Sequence, residues 1–530
     1  MSLSWTASNV GRARSVQVAR NALTGIGARF AMMAVGFALT PYIVHHLGLR
    51  LFGLWSLTSS VAAYLGLLDF GLAGVFVKFI TEYVESERRD LARQVVTIGA
   101  LFYVVFGIVL ALPVVCLAPL LVRSLHLPSS ETQTAVRAFD ALALLMVLSL
   151  IAGLPGSIVV GMQRMEVVSR NVVVAYLASA VATVVLLRAG WGITGVVVAG
   201  YAQLAVAAGL QYRSARRTFG PVWHDPRCLD RAMLGRMLSF GGWTQMTQIL
   251  TVVGQDVGRF IAAATVGVVS VTFYELGSRL AYLSRSLPNY FLDAMMPVAA
   301  AADVREERAE LERMYLSGTL YTMFGAWGIA GFLIGASDLL VRVWMGVAYP
   351  AVSVVIAGLS VGYAFSSITG VGMTVLRASG RPKYEAYSMG VTAAVNLGLT
   401  ALLAPRFGLA GIVAGAAAGW LAGAVFFTAV YHRLESTRLW WPVGRPLLAL
   451  CGGAVVAGGA VWILSHAAMH QFFFQGRLEG AVMLLCLGLL YTLLFVGVSV
   501  AWGVWRSDPS CLLPRLLRRG RLIASGAFAR

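Results

Sequence analysis

Ionisable and amide side chains set inside strongly apolar stretches are the residues of this sequence whose types and spacing could do chemistry. Over residues 238–263, Thr244, Thr247, Gln248, Thr251, Gln255 and Arg259 recur at spacings of one, three or four, which places them on one helical face. Over 268–300, Glu275, Ser278, Arg279, Tyr282, Ser286, Asn289 and Asp293 repeat the pattern, with Arg285 among them. Nearer the N-terminus Arg29 precedes Gly36 and Thr40, Asp69 interrupts the run Leu67-Leu68-Asp69-Phe70-Gly71, and Lys78 follows. Lipid cannot solvate such groups, so they must meet each other or line a cavity.

Both readings stand for the acids. Asp256 with Arg259 and Glu275 with Arg279 have the i, i+3 and i, i+4 spacing of neutralised helical pairs. Equally, Asp69, Asp256, Glu275 and Asp293 are candidate carriers of a coupling proton or sodium ion. Arg29 and Arg285 have no opposite charge within one turn. The resulting arginine excess suits an anionic substrate, because guanidinium matches phosphate and pyrophosphate oxygens. The expected substrate-binding set is therefore Arg29, Arg259, Arg279 and Arg285, with Gln255, Tyr282 and Asn289 beside them.

The elements that position these residues are membrane helices. Of 530 residues 58% are hydrophobic and 12% charged, about half the charge of an ordinary soluble domain. Apolar stretches long enough to span a bilayer recur with short polar breaks. They predict an all-α polytopic membrane protein of about fourteen helices: 22–44, 52–80, 95–122, 140–162, 171–187, 192–212, 238–263, 268–300, 315–336, 350–376, 388–404, 408–431, 447–467 and 479–504. The net charge of +18 lies mostly in the breaks rather than on a soluble nucleic-acid-binding face. Breaks sharing a side with the N-terminus hold 29 of the 41 Lys and Arg residues. The opposite side holds seven: Arg50, Arg123, Arg137, Arg188, Arg342, Arg406 and Arg477. That asymmetry predicts cytosolic N- and C-termini.

Several chemistries are not expected. Lys78 follows Val77 and Lys383 follows Pro382, so neither belongs to a phosphate-binding loop and no ATP site is read. The five cysteines are scattered singly, without metal-ligand spacing, which predicts neither a disulfide nor a metal site. Residues 1–20 are polar and carry Arg12, Arg14 and Arg20, so no cleavable signal peptide is expected. No catalytic residue and no cofactor are assigned.

Local patterns recur at an offset of 216–219 residues. Gly192-Ile193-Thr194-Gly195-Val196 matches Gly408-Leu409-Ala410-Gly411-Ile412, Gln163-Arg164 matches Gly380-Arg381, and Gly48 to Trp55 matches Gly267 to Tyr274. The shared offset predicts two pseudo-symmetric six-helix bundles, a transporter architecture. The expected divisions are an N-terminal lobe 1–212, a basic cytosolic linker 213–236, a C-terminal lobe 237–432, and 433–530 with helices thirteen and fourteen and a basic tail.

Arg20-Asn21, Pro41-Tyr42-Ile43-Val44, Leu47 to Trp55 and Tyr64 to Gly71 together resemble the opening of polysaccharide transporters of the Wzx type, in the multidrug/oligosaccharidyl-lipid/polysaccharide exporter superfamily. The resemblance is concentrated in residues 15–95. It implies two lobes about a cationic cavity, alternating access, and flipping of an undecaprenyl-diphosphate-linked oligosaccharide across the inner membrane for cell-surface polysaccharide synthesis. It also implies that Arg29, or Arg20 in its place, contacts the diphosphate, and that polymerase or ligase machinery is a partner. A lipid II flippase, a cation-coupled multidrug antiporter and a membrane-embedded glycosyl transferase or ligase are the alternatives. Surplus in-span arginine speaks against the second. The outward breaks, with Glu131 and His470, offer the third no catalytic constellation.

Overall fold

The computed structural model describes residues 3–67, 72–124, 128–223, 250, 258–435, 444–471 and 477–504. A backbone surrounded by apolar side chains satisfies its N–H and C=O groups within its own segment, which favours helices. The described residues are accordingly helical and contain no strand. Ten of their helices are long and apolar enough to cross a membrane.

The chain divides into two compact units, 1–249 and 250–530. The first contains α1 (Leu3–Leu67), α2 (Leu72–Glu85), α3 (Arg89–Ser124), α4 (Ser129–Gly161), α5 (Met165–Arg188) and α6 (Gly192–Phe219). Within it α5 packs on α6 and α1, while α4 packs on α3, α6 and α2. Phe76, Ile80, Leu154 and Ile158 are fully enclosed at its core. Helix α6 continues into the segment expected to be a linker, so Arg213, Arg216 and Arg217 stand on a helix, and 224–236 lies outside the described residues.

The second unit contains a helical stretch at 258–265, then α7 (Val268–Ala281), α8 (Leu283–Val304), α9 (Arg308–Gly335), α10 (Ser337–Met345), α11 (Pro350–Ser366), α12 (Gly370–Ala378), α13 (Lys383–Leu434), α14 (Arg445–Gln471) and α15 (Arg477–Ala501). The expected span 268–300 is broken at Tyr282 into α7 and α8. The expected span 350–376 is interrupted by a 3-10 turn at Ser367–Thr369. The two segments expected at 388–404 and 408–431 form one element bent back at Gly408. The terminal pair docks by close backbone approach, since a Cβ on Gly458 would lie 2.9 Å from the Gly331 carbonyl of α9. The Tyr491 hydroxyl donates to the Trp327 carbonyl at 3.4 Å.

The internal repeat is written into the backbone. Left-handed residues occur at Gly48 and Gly267, Glu87 and Glu306, Gln163 and Gly380, and Gly192 and Gly408, all at the offset seen in the sequence. The non-glycine residues with positive φ among the described ones, Glu87, Gln163 and Glu306, all belong to these pairs, although the conformation is uncommon for residues with a Cβ. Glu87 and Glu306 each stand two residues before a helix, α3 and α9, and each is followed two residues on by arginine, Arg89 and Arg308.

Gly267 has φ 108° and ψ 167°, a region open essentially to glycine alone. Its side-chain position is unobstructed, so any substitution cost there is conformational. Gly267→Ala should destabilise the protein by about 1–3 kcal/mol, read as a lower apparent thermal midpoint in detergent. A midpoint equal to wild type would refute the strain.

Candidate substrate-binding site

Two clusters in the second unit gather the polar residues of 258–300. Gly267 turns the chain between the helical stretch 258–265 and α7, so residues equidistant from it face each other. Arg259 and Glu275 stand eight positions either side. Arg259 Nη2 lies 2.7 Å from Glu275 Oε2, and Arg279 Nε donates to Glu275 Oε1 at 2.6 Å. Glu275 is 6% exposed. One buried carboxylate thus joins two guanidiniums, and these three side chains together carry a formal charge of plus one. The Glu275–Arg279 pair expected from spacing is present. Arg259 is shared with the same acid across the turn.

The second cluster surrounds Arg285. Its Cζ lies 4.0 Å from the Trp420 ring centroid and 6.0 Å from that of Tyr363. Tyr363 meets Trp420 edge-on at 5.6 Å and Tyr282 edge-on at 6.0 Å. Arg285 Nη1 is buried without a hydrogen-bond partner, and among the described residues no carboxylate pairs with this guanidinium. Glu385, which acts on it through space, is itself held by Arg377, whose Nε donates to Glu385 Oε2 at 3.0 Å. A buried, unmatched donor costs about 1–3 kcal/mol. The cation–π attraction offsets part of that cost without cancelling the charge. Chemically, the arrangement is a fixed cation with hydrogen-bond capacity to spare.

Tight helix packing sets this geometry. A Cβ on Gly362 would lie 2.9 Å from the Ala417 Cα, so α11 and the second half of α13 touch along their backbones. That contact carries Tyr363 and Trp420, 5% and 2% exposed, to Arg285 on α8. Trp420 sits about 18 Å along its helix from the bend at Gly408.

The remaining expected residues are distributed as follows. Asn289 is half-buried on α8, one turn beyond Arg285, and Tyr282 is exposed at the break before α8. Arg29 is exposed on α1 of the first unit. Gln255, Asp256 and Asp69 lie outside the described residues, as do the side chains of Asp293, Glu131 and His470. Tyr363 and Trp420 were absent from the sequence-based set, since each reads as one more apolar residue. The available signal was a single large aromatic in the run Ala416-Ala417-Ala418-Gly419-Trp420.

The family model of the polysaccharide biosynthesis proteins matches residues 18–303. The chain belongs to this family. The match takes in Arg29, Arg259, Glu275, Arg279, Tyr282, Arg285 and Asn289, whereas Tyr363 and Trp420 lie beyond it. A protein of Shigella flexneri assigned as an O-antigen transporter is 22% identical over 389 residues, covering 72% of this chain and 88% of its own. The lipid II flippase MurJ in an inward closed conformation has a TM-score of 0.67 at 11% identity, covering 90% of this chain and 98% of its own. An inward-facing multidrug transporter of the MATE family has a TM-score of 0.68 at 14% identity, covering 78% and 98%. These likenesses show that this polysaccharide biosynthesis protein shares the fold of MurJ and of the MATE transporter.

Proposed function

We propose that this protein is a flippase that carries a lipid-linked oligosaccharide, joined to its lipid by a diphosphate, from the cytosolic to the outer leaflet of the inner membrane. The observation that carries the reading is Arg285, a guanidinium with a buried unpaired donor and no carboxylate partner among the described residues. Family membership and the O-antigen transporter relative support the cargo class. Inward-facing and outward-facing structures of MATE relatives, with TM-scores of 0.68 and 0.55, support alternating access.

In this mechanism the diphosphate binds at Arg285, whose planar donors match its oxygens. The Arg259–Glu275–Arg279 cluster of the second unit adds positive field, and Arg29 of the first unit is a separate candidate contact. Glu275 acts as a fixed counter-ion between its two arginines, which leaves Asp69, Asp256 and Asp293 as carriers of any coupling ion. The protein spans the membrane fourteen times with both termini cytosolic, uses no ATP, performs no covalent step, and delivers cargo to polymerase or ligase machinery.

The test is complementation of a strain lacking its own surface-polysaccharide flippase, at matched expression. Arg285→Ala should cut surface polysaccharide at least about 10-fold, the effect of losing one charge-assisted contact. Normal polysaccharide from Arg285→Ala, alone and combined with Arg29→Ala, Arg259→Ala and Arg279→Ala, would overturn the assignment of the site. Rescue of a lipid II transport defect instead would move the cargo to peptidoglycan precursor.

A further inference from the structure

We infer that Trp420 is a positioning residue for the anion site, its indole face holding the Arg285 guanidinium by cation–π attraction so that the donors remain available to a diphosphate. The inference rests on the reading of Arg285 given above. It follows from how the two clusters differ. Arg259 and Arg279 are both engaged by Glu275, at 2.7 and 2.6 Å. A carboxylate cancels charge and occupies N–H edges, the same edges a diphosphate needs. Arg285 instead lies over an aromatic ring, 4.0 Å from its centroid. A ring face attracts the cation through its quadrupole and accepts none of its in-plane hydrogen bonds.

The platform is rigid. Trp420 and Tyr363 are nearly fully buried and meet edge-on, and both are locked by the close approach of Gly362 to Ala417. Arg285 Nη1, buried and unmatched, is the donor that this arrangement leaves unfilled. An arginine held by a ring face has no carboxylate to offset its charge, as a salt-bridged one has.

The experiment measures binding of undecaprenyl diphosphate, with undecaprenyl monophosphate as control, to purified full-length protein in detergent. Trp420→Leu should weaken diphosphate binding about 10-fold, within the range of a desolvated cation–π contact. Trp420→Phe should lie between wild type and Trp420→Leu, because a phenyl ring retains a weaker quadrupole. In an Arg285→Gln background the Trp420→Leu effect should vanish, which a packing role for Trp420 would not produce. Equal binding by wild type and Trp420→Leu, or an undiminished effect in the Arg285→Gln background, would overturn the inference while leaving Arg285 in place. If Trp420→Leu does not yield folded protein, Trp420→Phe and Tyr363→Leu in the two backgrounds carry the same comparison. Binding unaffected by Arg285→Gln would refute the anion site and the inference with it.

Discussion

Glu275→Ala is expected to destabilise the protein by about 3–5 kcal/mol, because it removes the buried carboxylate that two guanidiniums share. Glu275 contacts Arg259 at 2.7 Å and Arg279 at 2.6 Å and is 6% exposed, so water does not replace it readily. Glu275→Gln keeps a carbonyl acceptor but no charge and should fall between wild type and Glu275→Ala. The informative partner is Glu275→Leu combined with Arg259→Met and Arg279→Met. Replacing a whole buried ionic cluster by apolar side chains of similar size is often neutral or stabilising, whereas removing one member is costly. The triple variant should therefore recover much of the stability lost in Glu275→Ala. Apparent thermal midpoints in detergent, measured at one heating rate because membrane proteins often unfold irreversibly, give the ranking. A wild-type midpoint for Glu275→Ala would show that the two arginines do not depend on this acid. Recovery of stability without recovery of polysaccharide in the triple variant would assign the cluster to transport as well as to folding.

Much that depends on position along the chain was legible in the sequence. Hydropathy located most of the described helices, because a bilayer penalises breaks in them, but not the breaks at Tyr282 and at Ser367–Thr369. The polar stripes marked Arg259, Glu275, Arg279, Tyr282 and Arg285, because charge inside an apolar run is conspicuous whatever its partner. The repeat showed at Gly48, Gly267, Gly192 and Gly408, where the backbone conformation restricts the residue type. At Glu87 and Glu306 the same positive φ recurs on an identical residue, but glutamate is not a residue type that marks that conformation.

Partnerships across helices were not legible. Spacing offered Asp256, which lies outside the described residues, to Arg259, but gave no sign that the turn at Gly267 brings Glu275 opposite Arg259 as well. Trp420 lies 135 positions from Arg285, and nothing local to either names the other. Their meeting depends on how closely α11 and α13 approach, and that distance is set by Gly362 and Ala417, residues that carry no chemistry.

The same dependence on small residues governs α13, where Gly419→Ala should destabilise the protein while Gly398→Ala on the same element should not. The two halves of α13 fold back at Gly408 as an antiparallel hairpin, with Ser388, Thr392, Asn396 and Thr400 on one half and Gly411, Gly415, Gly419 and Gly423 on the other. The Ser388 hydroxyl donates to the Gly423 carbonyl at 3.0 Å, and that of Thr400 to the Ile412 carbonyl at 3.4 Å. Hydroxyls reach across because no side chain intervenes, the packing mode by which membrane helices associate without a hydrophobic driving force. A Cβ on Gly419 would lie 2.7 Å from the Thr392 carbonyl oxygen and 3.0 Å from the Asn396 nitrogen, both backbone atoms that cannot rotate away. Gly419→Ala should therefore cost about 1–3 kcal/mol of overpacking, and Gly419→Leu considerably more. Gly398 is exposed with nothing near its side-chain position, so Gly398→Ala should gain about 0.5–1 kcal/mol of helix propensity. Because Trp420 adjoins Gly419, prying the hairpin apart should also weaken diphosphate binding, and Gly398→Ala should leave binding unchanged. Thermal midpoints and binding measured on the same preparations test both halves of the expectation. Equal stability for the two alanine variants would refute the close-packed hairpin, and loss of stability with intact binding would separate it from the Arg285 site.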